Sequence, residues 1–437
     1  MHEPSPGDPW IQALAEPLNR LDDLLQHLPD LPGGAGRQRL RSFISDLREL
    51  TIDARGPRLL IIGRNHVGKS SLGQALFGDL VGPAGWLAAK ERPMADVWYT
   101  QPLPDVGSVS LCEVTIDGPT LAQPESGTWT TRLADLLNGD GADAVIYVQA
   151  IEDRAYGPVD GAQLDTLWAE HPRWPILFVA ANRIDTVNPP GWAPPYDLTT
   201  PTQPKAVAIA GRVREIESAF VRRHPSVTPV GTYWNTSEGN LLDYRYNLAP
   251  LQDGLYEAMP LRARLVYARA ARHTQGRLAD LVIEEAAILT FALGLNPLPL
   301  ADALPISLVQ GIQVTLIMAF AGRTPDWPTA VQFINRLGLT GLAAMTGREF
   351  FRNLAKLVPG AGDVVSAGLA TATTIALGET AKQVFTGQTS EKEGVQTFEV
   401  LRRAWEKRLR AVRSEADLAG LFRKPGGSGT SPVTSGR

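Results

Sequence analysis

One cysteine, Cys112, stands in 437 residues. No internal disulfide can form, the chain fits a reducing cytoplasm, and a lone thiol in an apolar run is expected to pack rather than react. A positive surplus is also missing. Lys and Arg number 42 against 46 Asp and Glu, a net charge of −4, so nothing in the charge balance calls for a nucleic-acid partner. The opening MHEPSPGDPW is acidic and proline-rich rather than basic and then apolar, unlike a secretion signal. Strand patterns stop beyond about Asp243, and charge itself vanishes over Ala286 to Ala301 and again over Ala303 to Gly322. With 44% hydrophobic residues, the length suits two globular domains or more.

What is present begins at residues 57–71, PRLLIIGRNHVGKSS. Leu59 to Ile62 read as a buried strand, and Leu72, Ala75 and Leu76 open an amphipathic helix. Between them lies the spacing of a phosphate-binding loop. Gly63 and Gly68 let the backbone turn so that its N–H groups surround a phosphate, Lys69 reaches the β- and γ-phosphates, and Ser70 offers a hydroxyl to Mg²⁺. Gly63, Asn65, His66, Val67, Gly68, Lys69, Ser70 and Ser71 are therefore the candidate triphosphate contacts. His66 either donates to the γ-phosphate or is a solvated loop histidine.

A second apolar run, Pro175 to Ala181, has the pattern of a parallel strand buried on both faces and ends in Asn182-Arg183-Ile184-Asp185. A carboxylate can accept two hydrogen bonds from the N1–H and N2–H₂ edge of guanine, which makes Asp185 the expected base-selecting residue.

The loop GRNHVGKSSL resembles that of the translation-factor-related GTPases of the Era- and TrmE-like group, where GRPNVGKSSL is common. The resemblance implies an α/β P-loop GTPase domain, a mainly parallel sheet with helices on both faces, that binds GTP or GDP with Mg²⁺. It implies that Asn182, Arg183 and Asp185 form the guanine motif, with Arg183 in place of lysine and able to lay its plane over a purine. It also puts Gly231-Thr232, after the strand Val227 to Thr232, at the guanine oxygen. Asp117 would hold Mg²⁺ through water, together with Ser70.

The chain departs from the family at the switches. Thr120 replaces the glycine that touches the γ-phosphate, position 121 is Leu rather than a water-orienting Gln, and 91–99 contains no threonine. Thr100 is the nearest candidate for the catalytic and metal-sensing threonine. His66, where potassium-activated relatives have Asn, gives no reason to expect potassium stimulation.

Helical spacing predicts two segments before the loop, one through Leu18, Leu21, Leu25 and Leu28 and one through Leu40, Phe43, Ile44, Leu47 and Leu50. After the α/β domain a long basic helix is expected from about Leu255 to Glu285, then a helical hairpin bending at NPLPLAD. Gly362, Ser366, Ala370, Thr374 and Gly378, four apart, predict a face that another helix can approach closely. With LVPGAGDVVSAG, these features resemble the helical domain of YcjF-like inner-membrane proteins over roughly 286–398. The expected organisation is a helical segment 1–56, the nucleotide-binding domain 57–245, a connecting helix 246–285, an all-α domain 286–424 and a disordered tail 425–437.

A helix of about 20 residues reaches about 30 Å, the hydrocarbon thickness of a bilayer, so the hairpin reads either as a re-entrant membrane element or as a buried core. The helix Val395 to Arg413, with Phe398, Leu401, Trp405, Leu409 and Val412 on one side and six basic residues around the rest, either lies on an anionic membrane or packs with a solvated face. The whole reads as a slow Mg²⁺-dependent GTPase whose nucleotide state acts through the helical domain, at a membrane or on a protein effector, with self-association as a further contact. The alternative is a GTP-binding scaffold that does not hydrolyse.

Overall fold

The computed structural model describes residues 19, 35–77, 98–103, 107–116, 128–139, 141–237, 240–271, 274–294, 303–321, 323, 326–339 and 364–422. The expected helix through Leu18 to Leu28, the segment 91–97, Asp117 to Leu121, the hairpin bend, Gly362 and the tail lie outside these residues. The described residues divide into two compact units: those within Asp53–Gln275 form one, and those within Pro6–Ile52 together with Gly276–Arg437 form the other.

The first unit is built on a six-stranded sheet. In chain order its elements are β1 (Arg58–Gly63), α2 (Lys69–Phe77), β2 (Tyr99–Leu103), β3 (Gly107–Thr115), α3 (Trp129–Asn138), β4 (Ala144–Ala150), α4 (Gly157–Glu170), β5 (Leu177–Asn182), α5 (Pro204–Glu217) and β6 (Val227–Pro229), with α1 (Ala35–Thr51) preceding them. The strand order is β2-β3-β1-β4-β5-β6. Every pairing is parallel except β2 with β3. Strands packed on both faces need continuous apolar runs, and Leu59 to Ile62, Ala144 to Val148 and Val179 to Ala181 are indeed buried. Cys112 is fully buried among them, as packing requires.

From β1 the chain reaches β3 on one side and then crosses to β4 on the other. The carboxyl end of β1 is thus the point where the winding reverses, the place where such sheets bind ligands. Gly63 stands there, with Asn182 at the matching end of β5.

A hairpin of β7 (Trp234–Ser237) and β8 (Asn240–Asp243) follows, and then the expected Leu255–Glu285 helix is found as three: α6 (Leu248–Ala258), α7 (Leu261–Ala270) and α8 (Gln275–Gly294). Pro260 has no N–H to continue the ladder and turns the chain extended. One arginine closes the break: Arg264 donates through Nε to the carbonyl of Met259 at 3.0 Å and through Nη2 to that of Glu257 at 3.1 Å. Both α6 and α7 belong to the α/β unit. Gln252 Nε2 donates to the Leu76 carbonyl at 3.1 Å, Tyr267 Oη donates to that of Gln252 at 3.2 Å, and the Tyr267 ring meets Phe77 edge-on.

The second unit is helical: α1, α8, α9 (Ala303–Phe320), α10 (Trp327–Arg336), α11 (Val364–Phe385), α12 (Glu391–Leu409) and α13 (Glu415–Phe422). The expected face of α1 is buried at Phe43, Ile44, Leu47 and Leu50. The common core of the later helices includes Phe291, Ile317, Ile375, Phe398 and Trp405. Close approach at the small-residue stripe is seen at Gly378, where a Cβ would lie 2.2 Å from Gln313 Nε2 and 2.5 Å from Ile283 Cγ1. No described helix is long and apolar enough to cross a membrane. On α12, a capping box between Ser390 and Glu393 starts the helix. The basic face is partly neutralised, since Arg402 pairs with both Glu399 and Glu406.

Candidate nucleotide site

The loop after β1 takes the shape its glycines permit. Gly68 has φ +95°, and a Cβ there would fall 2.3 Å from Asn182 Nδ2; at Gly63 it would fall 2.4 Å from the Val148 carbonyl oxygen. Any side chain would push β4 and β5 away from the loop. Lys69 folds back across it, donating from Nζ to the carbonyls of Gly63 and Arg64, both at 3.0 Å. Its ammonium is thereby kept at the loop although the residue is only 8% exposed. Asn65 and His66 are exposed, His66 in the left-handed region at φ +65°, while Val67 is buried.

Arg64 points the other way. Its Nε and Nη2 meet the two carboxylate oxygens of Asp160 at 2.7 and 2.8 Å, and the guanidinium lies 4.0 Å from the centre of the Tyr156 ring. Asp160 sits in the first turn of α4 and is 2% exposed. This fork ties the start of the loop to α4, and the Asp160 hydrogen bond raises the guanidinium pKa further. Sequence reasoning missed it because the partners are 96 residues apart.

On the base side, Asn182 joins three segments. Its Nδ2 donates to the Val67 carbonyl at 2.9 Å, and its Oδ1 accepts from Thr232 Oγ1 at 2.9 Å. Arg183 follows in the left-handed region at φ +66°, exposed, and the single turn Ile184–Thr186 presents Asp185 partly buried. Behind that turn is a residue with no sequence motif: Lys205, buried, donates from Nζ to the carbonyls of Asp185 and Gly191, both at 2.8 Å. Burial lowers its pKa, and the Asp185 charge opposes the shift. Gly231 is held by paired backbone bonds with Tyr246, both 3.1 Å; a Cβ there would meet the Tyr244 carbonyl at 2.2 Å.

At the metal end, Ser70 Oγ donates to Glu113 Oε2 at 3.1 Å. The signal for Glu113 was a charged residue inside an otherwise uncharged strand. Oxygen donors of this kind fit Mg²⁺, which keeps several waters and relies on phosphate and one or two carboxylates. Among the described residues no group of three or more His, Cys, Asp or Glu side chains could hold a metal ion. Thr100 is not brought to the loop. Antiparallel pairing sets it opposite Ser110, which is level with Arg58, whereas Gly63 is level with Thr115. Five residues of strand, about 17 Å, separate the two levels, and the Thr100 hydroxyl bonds that of Ser110 instead.

No family model matches the chain, and no curated protein matches it. Among solved structures it is similar to a GTP-binding protein of Sulfolobus solfataricus in complex with GDP, at 18% identity over 58% of this chain and 67% of that one, TM-score 0.29. Similar likenesses, each at 14% identity and TM-score 0.29, are to a variant of Aquifex aeolicus Era bound to GDP and AlF4⁻, over 56% and 69% of the two chains, and to Arabidopsis thaliana Toc33 with Mg²⁺ and GMPPNP, over 57% and 94%. At such scores these likenesses assign nothing to single residues. Strand order and loop geometry of this chain by themselves define an α/β P-loop fold followed by a helical region.

Proposed function

We propose that the chain is a Mg²⁺-dependent guanine-nucleotide-binding protein that hydrolyses GTP slowly. The observation that supports this reading is Asn182, which ties the loop at Val67 to the segment at Thr232 and precedes Asp185 by three residues. Backbone N–H groups of Gly63 to Ser70 with Lys69 receive the phosphates, Asp185 takes the guanine edge, Arg183 covers the ring, and the backbone at Gly231-Thr232 meets the guanine oxygen. Ser70 and Asp117 serve Mg²⁺. Slow turnover follows from Leu121 and from a switch stretch without threonine.

A GTP-binding scaffold without hydrolysis is the second reading. It is favoured by the distance of Thr100 from the loop. Titration of the full chain with GTP and ATP, followed by single-turnover hydrolysis, tests both. Equal affinity for ATP ends the guanine reading, and release of phosphate above the buffer rate ends the scaffold reading.

For the helical region we propose a role downstream of the nucleotide, on a protein effector, on a second copy of the chain, or at the cytoplasmic face of a membrane through a YcjF-like domain. The uncharged stretches of α8 and α9 and the cations of α12 support it. Flotation of the full chain with anionic liposomes distinguishes the membrane arm, because protein that stays at the bottom of the gradient removes it.

A further inference from the structure

Resting on the Mg²⁺-nucleotide reading, we propose that Glu113 is a further metal-site residue, whose carboxylate takes up the water shell of the cation beside Ser70 and makes nucleotide binding depend on metal. Three observations place it there. Glu113 occupies β3 on the face that also carries the buried Val109 and Leu111, where strand alternation asks for an apolar side chain. The register sets it level with Ile61, two residues behind Gly63, and its long side chain reaches forward to Ser70 Oγ at 3.1 Å.

A hydroxyl has one proton and two lone pairs. Giving the proton to Glu113 leaves the Ser70 oxygen free to ligate, so this bond presets the ligand rather than competing with the metal.

The second carboxylate oxygen is the telling one. Oε1 is buried and has no hydrogen-bond partner, and the hydroxyl of Tyr99, on the neighbouring β2, is likewise buried without one. Burial, and next the Glu113 charge, push the Tyr99 pKa up, so the phenol stays a neutral donor. Buried polar atoms are ordinarily satisfied. A hydrated divalent cation satisfies a carboxylate oxygen at this end of β3, because its waters are donors. With no cation, an unneutralised carboxylate next to the phosphate loop repels the triphosphate. Glu113 thereby acts in opposite senses on the two forms of the ligand: it favours nucleotide with Mg²⁺ and disfavours nucleotide alone.

The test is titration of the full chain with a fluorescent GTP analogue, in excess Mg²⁺ and in EDTA. Wild type is expected to lose at least about 100-fold in affinity on chelation, and Glu113→Gln at most about 10-fold, weaker than wild type in Mg²⁺ and tighter in EDTA. The same ratio in both proteins overturns the proposal and leaves Glu113 a packing residue. Should the Gln variant lose its circular-dichroism melt, Glu113→Asp serves: it keeps the charge and shortens the arm, so affinity should fall about 10-fold in Mg²⁺ and stay unchanged in EDTA. Wild-type binding of this Asp variant in Mg²⁺ overturns the proposal. Failure of wild type to bind the analogue in either buffer overturns the guanine-nucleotide reading and this inference together, whereas strong wild-type binding that ignores EDTA overturns this inference alone.

Discussion

The two units treat buried polar groups in opposite ways. In the α/β unit several stand at or beside the phosphate loop, fixed by a specific geometry: Lys69 on two loop carbonyls, Asp160 on the Arg64 fork, Asn182 between Val67 and Thr232, with Glu113 Oε1 and the Tyr99 hydroxyl as exceptions. In the helical unit they lie inside packed helices. Gln310 reaches Thr374 at 3.0 Å, but the amide of Gln313, fully buried, has no hydrogen-bond partner at either end. Polar groups of the first kind hold separate segments of the chain to one another. Those of the second kind cost stability at all times, and Gln313 packs against Gly378 without any partner that explains its amide.

Substitutions can break or sharpen that contrast. The largest expected effect is on binding. Lys69→Ala should weaken GTP by at least about 100-fold, because charge-assisted bonds to phosphate are lost, while the melt of the protein stays within about a degree or two. Unchanged affinity for labelled GTP would remove Lys69 from the site.

Next comes Arg64→Ala, which strands the Asp160 carboxylate. Breaking a buried pair costs about 3–5 kcal/mol; with the Arg64 side chain 24% exposed, about 2 kcal/mol is expected in urea denaturation. A loss of less than about half a kcal/mol would make the fork ornamental.

Asp185→Asn should lower the preference for GTP over ATP by about 1–3 kcal/mol, read from paired calorimetric titrations. Preference unaltered by the change would assign base selection to another group.

In the helical unit the sign reverses. Gln313→Met, close in volume and without polar atoms, should stabilise by about 1 kcal/mol and leave GTP affinity alone; a lower thermal midpoint would show that the amide is satisfied after all. The smallest effect concerns Glu379, whose pKa is raised by burial, against the hydrogen bond from Trp405 and with the charge of Asp280 adding to the rise. A carboxylate with a raised folded pKa binds its proton more tightly when folded. Its contribution is fully present below the ordinary value of 4.5 and is lost as pH rises toward the folded value. Glu379→Gln should flatten that part of the pH–stability profile, and an identical profile would count against it.

What could be read in the sequence were the parts where chemistry forces residue type at fixed spacing. Gly63, Gly68, Lys69 and Ser70 stand close in the chain, and so do Asn182 and Asp185; the structure brings the two groups together at Val67. What could not be read depends on distance. Arg64 meets Asp160 across 96 residues and Ser70 meets Glu113 across 43, while Lys205 belongs to no motif until its ammonium is seen between two carbonyls. Thr100 was the nearest threonine by count, but the antiparallel return of β2 carries it to the far end of the sheet. Pro260 was visible all along. The periodic arginines around it suggested one helix, and only the bonds of Arg264 back to the carbonyls of Glu257 and Met259 show that one of them closes the break.

Asn182 also sets an order in time. Ribosomes deliver the chain from its N-terminus, so the phosphate loop exists for 115 residues of synthesis before Asn182 arrives, and Thr232 comes a further 50 later. Until then the loop has its glycines, its lysine and the Arg64–Asp160 fork, but not the bond from Asn182 at Val67. A nascent chain cut short of Thr232 lacks the Thr232–Asn182 bond, so the bracing by Asn182 is finished only late in the synthesis of the first folding unit.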